Sequence, residues 1–163
     1  MSPISVLVAD DDLWMRNLLA ERLRTHFHVR RPVANGKQLF DAAVERGVDV
    51  IVSDVRMPGL SGFDVLNALR LVGRFVPFVM VSASPELAAE CLARGAAAFV
   101  SKVDIARDLI PAVQAALDGR TYVSTSARPA SDLPLQDAAP SDDHPPVQQF
   151  GVKTSWPLPR RER

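Results

Sequence analysis

The feature that most constrains this chain is a fivefold alternation between residues 4 and 119, in which short apolar runs give way to stretches with apolar residues at helical spacing. Strands buried on both faces read as continuous β-branched runs, and parallel strands need crossovers long enough to hold a helix. The alternation therefore predicts an α/β protein: a parallel sheet with helices on both faces. Strands are expected at residues 4–9, 27–31, 48–53, 76–81 and 97–100. The third, Val48-Asp49-Val50-Ile51-Val52-Ser53, is almost all β-branched and belongs at the centre. The second alternates polar with apolar residues and belongs at an edge. Pro77 falls near the start of the fourth, where a missing donor costs least.

Helix signals fill the gaps. The first helix carries Leu18, Leu19, Arg22 and Leu23 to about Thr25, and Asn35-Gly36 opens the second, with Leu39, Phe40, Ala43 and Val44 following. The third is expected at residues 63–70, after a loop at Met57-Pro58-Gly59-Leu60-Ser61-Gly62. Ser84 reads as an N-cap with Pro85 at the first helical position, and Gly95 closes that helix after Arg94. Pro111 is tolerated best in a first turn, so the last helix is expected to begin near Arg107 or Asp108 and end at Gly119. Beyond Ser124 the composition turns to proline, aspartate, glutamine and serine, with Pro145-Pro146 and few large apolar residues. Such a segment buries too little surface to offset its ordering entropy. The expected division is a folded domain over residues 1–122 and a disordered tail over 123–163.

Composition narrows the classes of function. Lysine plus arginine equals aspartate plus glutamate at 19 each, so no net positive field favours nucleic acid, and direct DNA binding by this chain is not expected. One cysteine, Cys91, allows neither an internal disulfide nor a thiol metal cluster and reads as a small buried hydrophobe. No apolar run approaches the roughly 20 residues of a membrane span. The amino-terminal run stops at Asp10-Asp11-Asp12 before it could become a signal sequence, so a cytoplasmic location is expected.

In an open parallel sheet, ligands bind outside the carboxyl ends of the strands. Asp10 and Asp11 follow the first expected strand, Asp54 the third, Ser82 the fourth and Lys102 the fifth. Carboxylates held a few ångströms apart repel unless a cation joins them, and an all-oxygen set that leaves room for waters favours Mg²⁺. A phosphoryl group reaching Asp54 would meet that cation, the Lys102 ammonium and the Ser82 hydroxyl. Positioning and charge neutralisation of this kind supply most of the catalysis in phosphoryl transfer.

Four segments, Val-Leu-Val-Ala-Asp10-Asp11-Asp12, Ser53-Asp54-Val55-Arg56-Met57-Pro58-Gly59 with Gly62, Val81-Ser82-Ala83 and Phe99-Val100-Ser101-Lys102, resemble in order and spacing the landmarks of response-regulator receivers of two-component signalling. The resemblance covers roughly residues 4–122. It implies a flavodoxin-like (βα)5 fold with strand order 2-1-3-4-5 and Asp54 as phosphoacceptor. Mg²⁺ would be held by Asp11, Asp54 and the Arg56 backbone carbonyl, with Asp10 acting through water. Ser82, with Ala83 in the loop after it, matches the switch hydroxyl, Phe99 the switch aromatic, and Lys102 the lysine that pairs with the phosphoryl group. A histidine kinase or phosphotransfer protein would be the donor, and the output would be a changed surface read by a partner or by homodimerisation. The domain would catalyse only its own phosphorylation and dephosphorylation.

Val103 stands where many receivers have proline, which resembles the NarL/FixJ class, as does the junction Gly119-Arg120-Thr121-Tyr122-Val123-Ser124. A helix-turn-helix output domain would follow in that class, and Leu158-Pro159-Arg160-Arg161-Glu162-Arg163 faintly resembles its opening. Transcription control would then act through an output domain absent from this chain. Asp12 reads as a helix cap, and His26 and His28 lack a third ligand nearby. Trp14, beside the acidic cluster, reads either as packing or as a kinase contact. Two rivals remain at this level: a haloacid-dehalogenase-type phosphatase with Asp10 as nucleophile, and a docking module that works without phosphorylation.

Overall fold

Parallel pairing of the β-branched runs builds the sheet. The computed structural model describes residues 2–132. Its strands are β1 (Ser5–Ala9), β2 (His28–Val29), β3 (Val50–Asp54), β4 (Phe78–Ser82), β5 (Ala98–Ser101) and β6 (Tyr122–Val123), all parallel, in the order β2-β1-β3-β4-β5-β6. Every residue of β1, β3, β4 and β5 is buried, as expected of a sheet covered on both faces. The first five strands take the order that the flavodoxin-like expectation required.

Side-chain alternation splits the core into two layers. Leu7, Ile51, Phe78, Met80 and Phe99 point to one face, where they meet Leu39 and Ala43 of α2 (Gly36–Val44), Val65 and Leu69 of α3 (Gly62–Leu71) and Cys91 of α4 (Ala88–Ala93). Val6, Val8, Val52, Val79, Val81 and Val100 point to the other, against Leu19 and Leu23 of α1 (Leu13–Arg24) and Leu109 and Val113 of α5 (Ile105–Leu117). Each valine, leucine, isoleucine, methionine or phenylalanine among them, fully buried, contributes roughly 1.5–3 kcal/mol. The helix starts follow the sequence signals: Asp12, Asn35 and Ser61 accept from the amides of Met15, Gln38 and Asp64, and Asp64 returns the bond to close a capping box. Asp12 is thus a cap, as expected.

Four local expectations are corrected. Strand β2 is only two residues long: continuous pairing ends at Val29, Pro32 has no amide to donate, and Val33 rejoins β1 only as an isolated bridge to Ala9. Ser84 makes no side-chain cap; its amide donates to Ser82 Oγ at 3.1 Å, and Pro85–Leu87 form a 3₁₀ turn before the six-residue α4. Helix α5 starts at Ile105, so Pro111 sits inside it. Burial of Ile105 and Leu109 and the anchoring of Asp108 by residues beyond the helix outweigh the bond that Pro111 cannot make. Finally, the sheet continues past Tyr122 into β6, followed by 3₁₀ turns at Thr125–Ala127 and Ala130–Asp132. The expectations about Pro145-Pro146 and residues 158–163 lie outside the described residues.

Candidate functional site

Register gathers the polar residues. Ala9 pairs with Ser53, Asp54 with Val81, and Ser82 with Ser101, so the residues that end or follow β1, β3, β4 and β5 meet at one rim. Carboxylate oxygens of Asp10, Asp11 and Asp54 lie within 4.8 Å of one another. Lys102 reaches in from the end of β5, its Nζ 3.0 Å from Asp54 Oδ2 and 3.4 Å from Asp10 Oδ2. Arg56 donates its backbone N–H to Asp54 Oδ1 at 3.2 Å, while its side chain is exposed. Gly62 opens α3 directly beneath: a Cβ there would stand 2.6 Å from the Asp54 carbonyl oxygen.

The charges are unevenly satisfied. Asp10 is fully buried; its Oδ1 accepts from the Asp12 amide at 2.9 Å, but its Oδ2 accepts no hydrogen bond. Burial pushes the Asp10 carboxyl above its ordinary value, with the like charge of Asp54 adding, against the pull of the Asp12 amide and Lys102. Burial depresses Lys102, yet the hydrogen bond and charge of Asp54, joined by Asp10, outweigh it and hold the ammonium above the ordinary lysine value. One lysine thus faces three carboxylates. A buried carboxylate oxygen that accepts no hydrogen bond, with only the Lys102 ammonium 3.4 Å away, is within an all-oxygen set what a hard divalent cation would complete, and the residues present fit Mg²⁺.

Ser82 is buried at the end of β4, its Oγ taken by the Ser84 amide, and Ala83 after it is exposed. Phe99 is fully buried among Met80, Val123 and Ala127. Trp14 is 69% exposed in the first turn of α1, so it is not packing, and Val103 beyond Lys102 is 80% exposed. His26 and His28 are both exposed, and the acidic trio is the one metal-capable cluster among the described residues. The sequence reading missed Arg16, which donates to the Asp10 carbonyl at 2.8 Å, and the buried Asp104, Asp108 and Ser124 behind Lys102. Sequence offers no signal for these, because their partners lie on other elements.

A doubly wound sheet with acids and a lysine on its carboxyl rim defines the CheY-like class of α/β signalling domains. Residues 6–114 match the response regulator receiver domain family, and the chain belongs to that family. It is 35% identical over 111 residues to the sensory/regulatory protein RpfC of Xanthomonas campestris pv. campestris, covering 64% of this chain and 15% of RpfC. It is 29% identical over 149 residues to the DNA-binding transcriptional regulator NtrC of Azospirillum brasilense, covering 90% of this chain and 29% of NtrC. The chain thus spans less than a third of either relative. The chemotaxis response regulator CheY4 of Vibrio cholerae superposes with a TM-score of 0.63 at 29% identity, over 71% of this chain and 99% of CheY4.

Proposed function

We propose that this domain accepts a phosphoryl group on Asp54 from the phosphohistidine of a histidine kinase or phosphotransfer protein, and that the modified acid switches a protein-binding surface. The observation that carries the reading is the Lys102–Asp54 contact at 3.0 Å beside an Asp10 oxygen that accepts no hydrogen bond. An Asp54 oxygen forms the new O–P bond as the P–N bond to the donor imidazole breaks, and Lys102 stays protonated throughout. Its charge faces the phosphoryl oxygens as they gain negative charge. Asp10, Asp11, Asp54 and the Arg56 backbone carbonyl are the groups that would hold Mg²⁺, which when bound neutralises the same oxygens.

The product adds about 1.5–2 negative charges at the rim. Ser82, whose hydroxyl oxygen accepts from the Ser84 amide and whose O–H remains able to donate, and the loop through Ala83 supply a donor and a segment that would move toward them. Phe99, two pairing steps behind Ser101, is the aromatic whose packing would follow, so the face built from α4, β5 and α5 would change its population of shapes. Homodimerisation and output through a separate DNA-binding domain are ways this face would be read, and the residues beyond Leu133 would serve as linker. A cytoplasmic site of action is part of the same reading.

The test is acid-labile labelling with acetyl phosphate and Mg²⁺. Wild type is expected to label and Asp54→Asn to lose the label entirely. Label retained in Asp54→Asn, with Asp10 modified instead, overturns the assignment; a folded wild type that never labels makes this a phosphorylation-independent docking module.

A further inference from the structure

Lys102 does not hold its own position. It sits between Ser101 and Asp104, and both are tied to a segment that lies beyond the residues matching the family. The buried Ser101 amide donates to Ser124 Oγ at 2.8 Å, and the Ser124 amide donates to the Phe99 carbonyl at 2.9 Å. Two residues on, Ser126 donates both its amide, at 2.9 Å, and its hydroxyl to Asp104 Oδ2. One turn further along α5, Asp108 accepts from the Thr125 amide at 2.8 Å and the Tyr122 hydroxyl at 3.0 Å. Arg107 bridges the two acids, 3.1 Å from Asp104 and 3.2 Å from Asp108. Ser124 is fully buried, so Ser101 has no water to turn to if that hydroxyl is lost.

We propose that Ser124 is a positioning residue for phosphoryl transfer: residues 122–126 form a strap whose Ser124 and Ser126 fix the backbone on either side of Lys102 and so aim its ammonium at Asp54. The inference rests on the phosphoacceptor reading for its chemical consequence, though not for its geometry. No hydrogen bond or ion pair joins the strap to the three acids that would hold the metal, so its loosening shifts the lysine while leaving the bonds within the acidic cluster in place. Coupling is reciprocal. Whatever draws Lys102 onto a phosphoryl group also alters the hold on the strap, which packs Val123 and Ala127 against the cluster containing Phe99.

The experiment compares the wild-type chain of residues 1–163 with Ser124→Ala, with the milder Ser126→Ala, and with Arg70→Met. Arg70 donates to the carbonyls of Arg94 and Gly95, away from the acidic rim. Each variant is labelled with acetyl phosphate at a temperature equally far below its own melting midpoint. Mg²⁺ affinity is titrated in parallel. The Lys102 side-chain NMR signals are followed too, with Asp54→Asn marking the detached position. Ser124→Ala is expected to label about tenfold more slowly at unchanged Mg²⁺ affinity, with Lys102 signals moved toward those of Asp54→Asn, while Arg70→Met behaves as wild type. Should Ser124→Ala not fold, Ser126→Ala is expected to give the same changes in smaller measure. Unmoved Lys102 signals, or an equal loss of rate in Arg70→Met, overturn the strap. A wild type that takes no label while Lys102 still moves in Ser124→Ala overturns the phosphoacceptor reading alone.

Discussion

Both oxygens of Asp54 are engaged, Oδ2 by Lys102 and Oδ1 by the Arg56 amide. Lys102 therefore competes with any cation for the same carboxylates. Lys102→Met is expected to bind Mg²⁺ more tightly in a fluorescence titration, because the acids lose their internal counter-ion. Its labelling rate should nonetheless fall about 10²–10³-fold, the usual loss for one donor aimed at developing charge. Tighter metal binding with an unchanged rate would remove Lys102 from the chemistry. Trp14→Ala makes a different separation: if the exposed indole is a docking contact for a macromolecular donor, transfer from a phosphorylated histidine protein is expected to slow, while acetyl phosphate labelling stays at the wild-type rate. The acids, Ser82 and Lys102 were legible in the sequence because each sits at a strand's carboxyl end. Asp104 and Asp108 were not, because their partners stand 22 and 14–17 positions further along the chain.

Among the elements, β1 and β3 were readable to within two residues, since a β-branched run buried on both faces has few alternatives. Strand β6 was not. Two residues with a polar neighbourhood carry no period, and Tyr122–Val123 become a strand only because Ala98–Ser101 offers an open edge. The start of α5 was misplaced for the opposite reason: the proline rule is a local rule, and tertiary burial overrode it. The local cost remains in place. Pro111 is exposed within α5, so Pro111→Ala restores an intrahelical bond without disturbing the core. The variant is expected to gain about 1–3 kcal/mol in urea unfolding. A loss of stability would mean that the helix bends around Pro111 in a way alanine cannot follow.

Across the whole molecule, acid acts in two directions. Asp104 is held below its ordinary value of 3.8: burial opposes this, but the Ser126 and Ser124 hydrogen bonds and Arg107 prevail. Its contribution is present above that ordinary value and lost as pH falls through its lower folded value. Asp10 is raised, so its contribution has the other sign, present in acid and lost as pH rises through its folded value. At neutral pH the rim thus carries more carboxylates than its one lysine balances, an excess that a bound Mg²⁺ would relieve. Added Mg²⁺ is expected to raise the melting temperature more at about pH 7 than at about pH 4, and an equal effect at both would place the ion elsewhere. The strap also sets where this domain can be spliced. A chimera joined at the edge of the family match, residue 114, or at residue 122 would discard Ser124, whose hydroxyl accepts from the Ser101 amide beside Lys102. A graft made after Asp132 carries that brace with it.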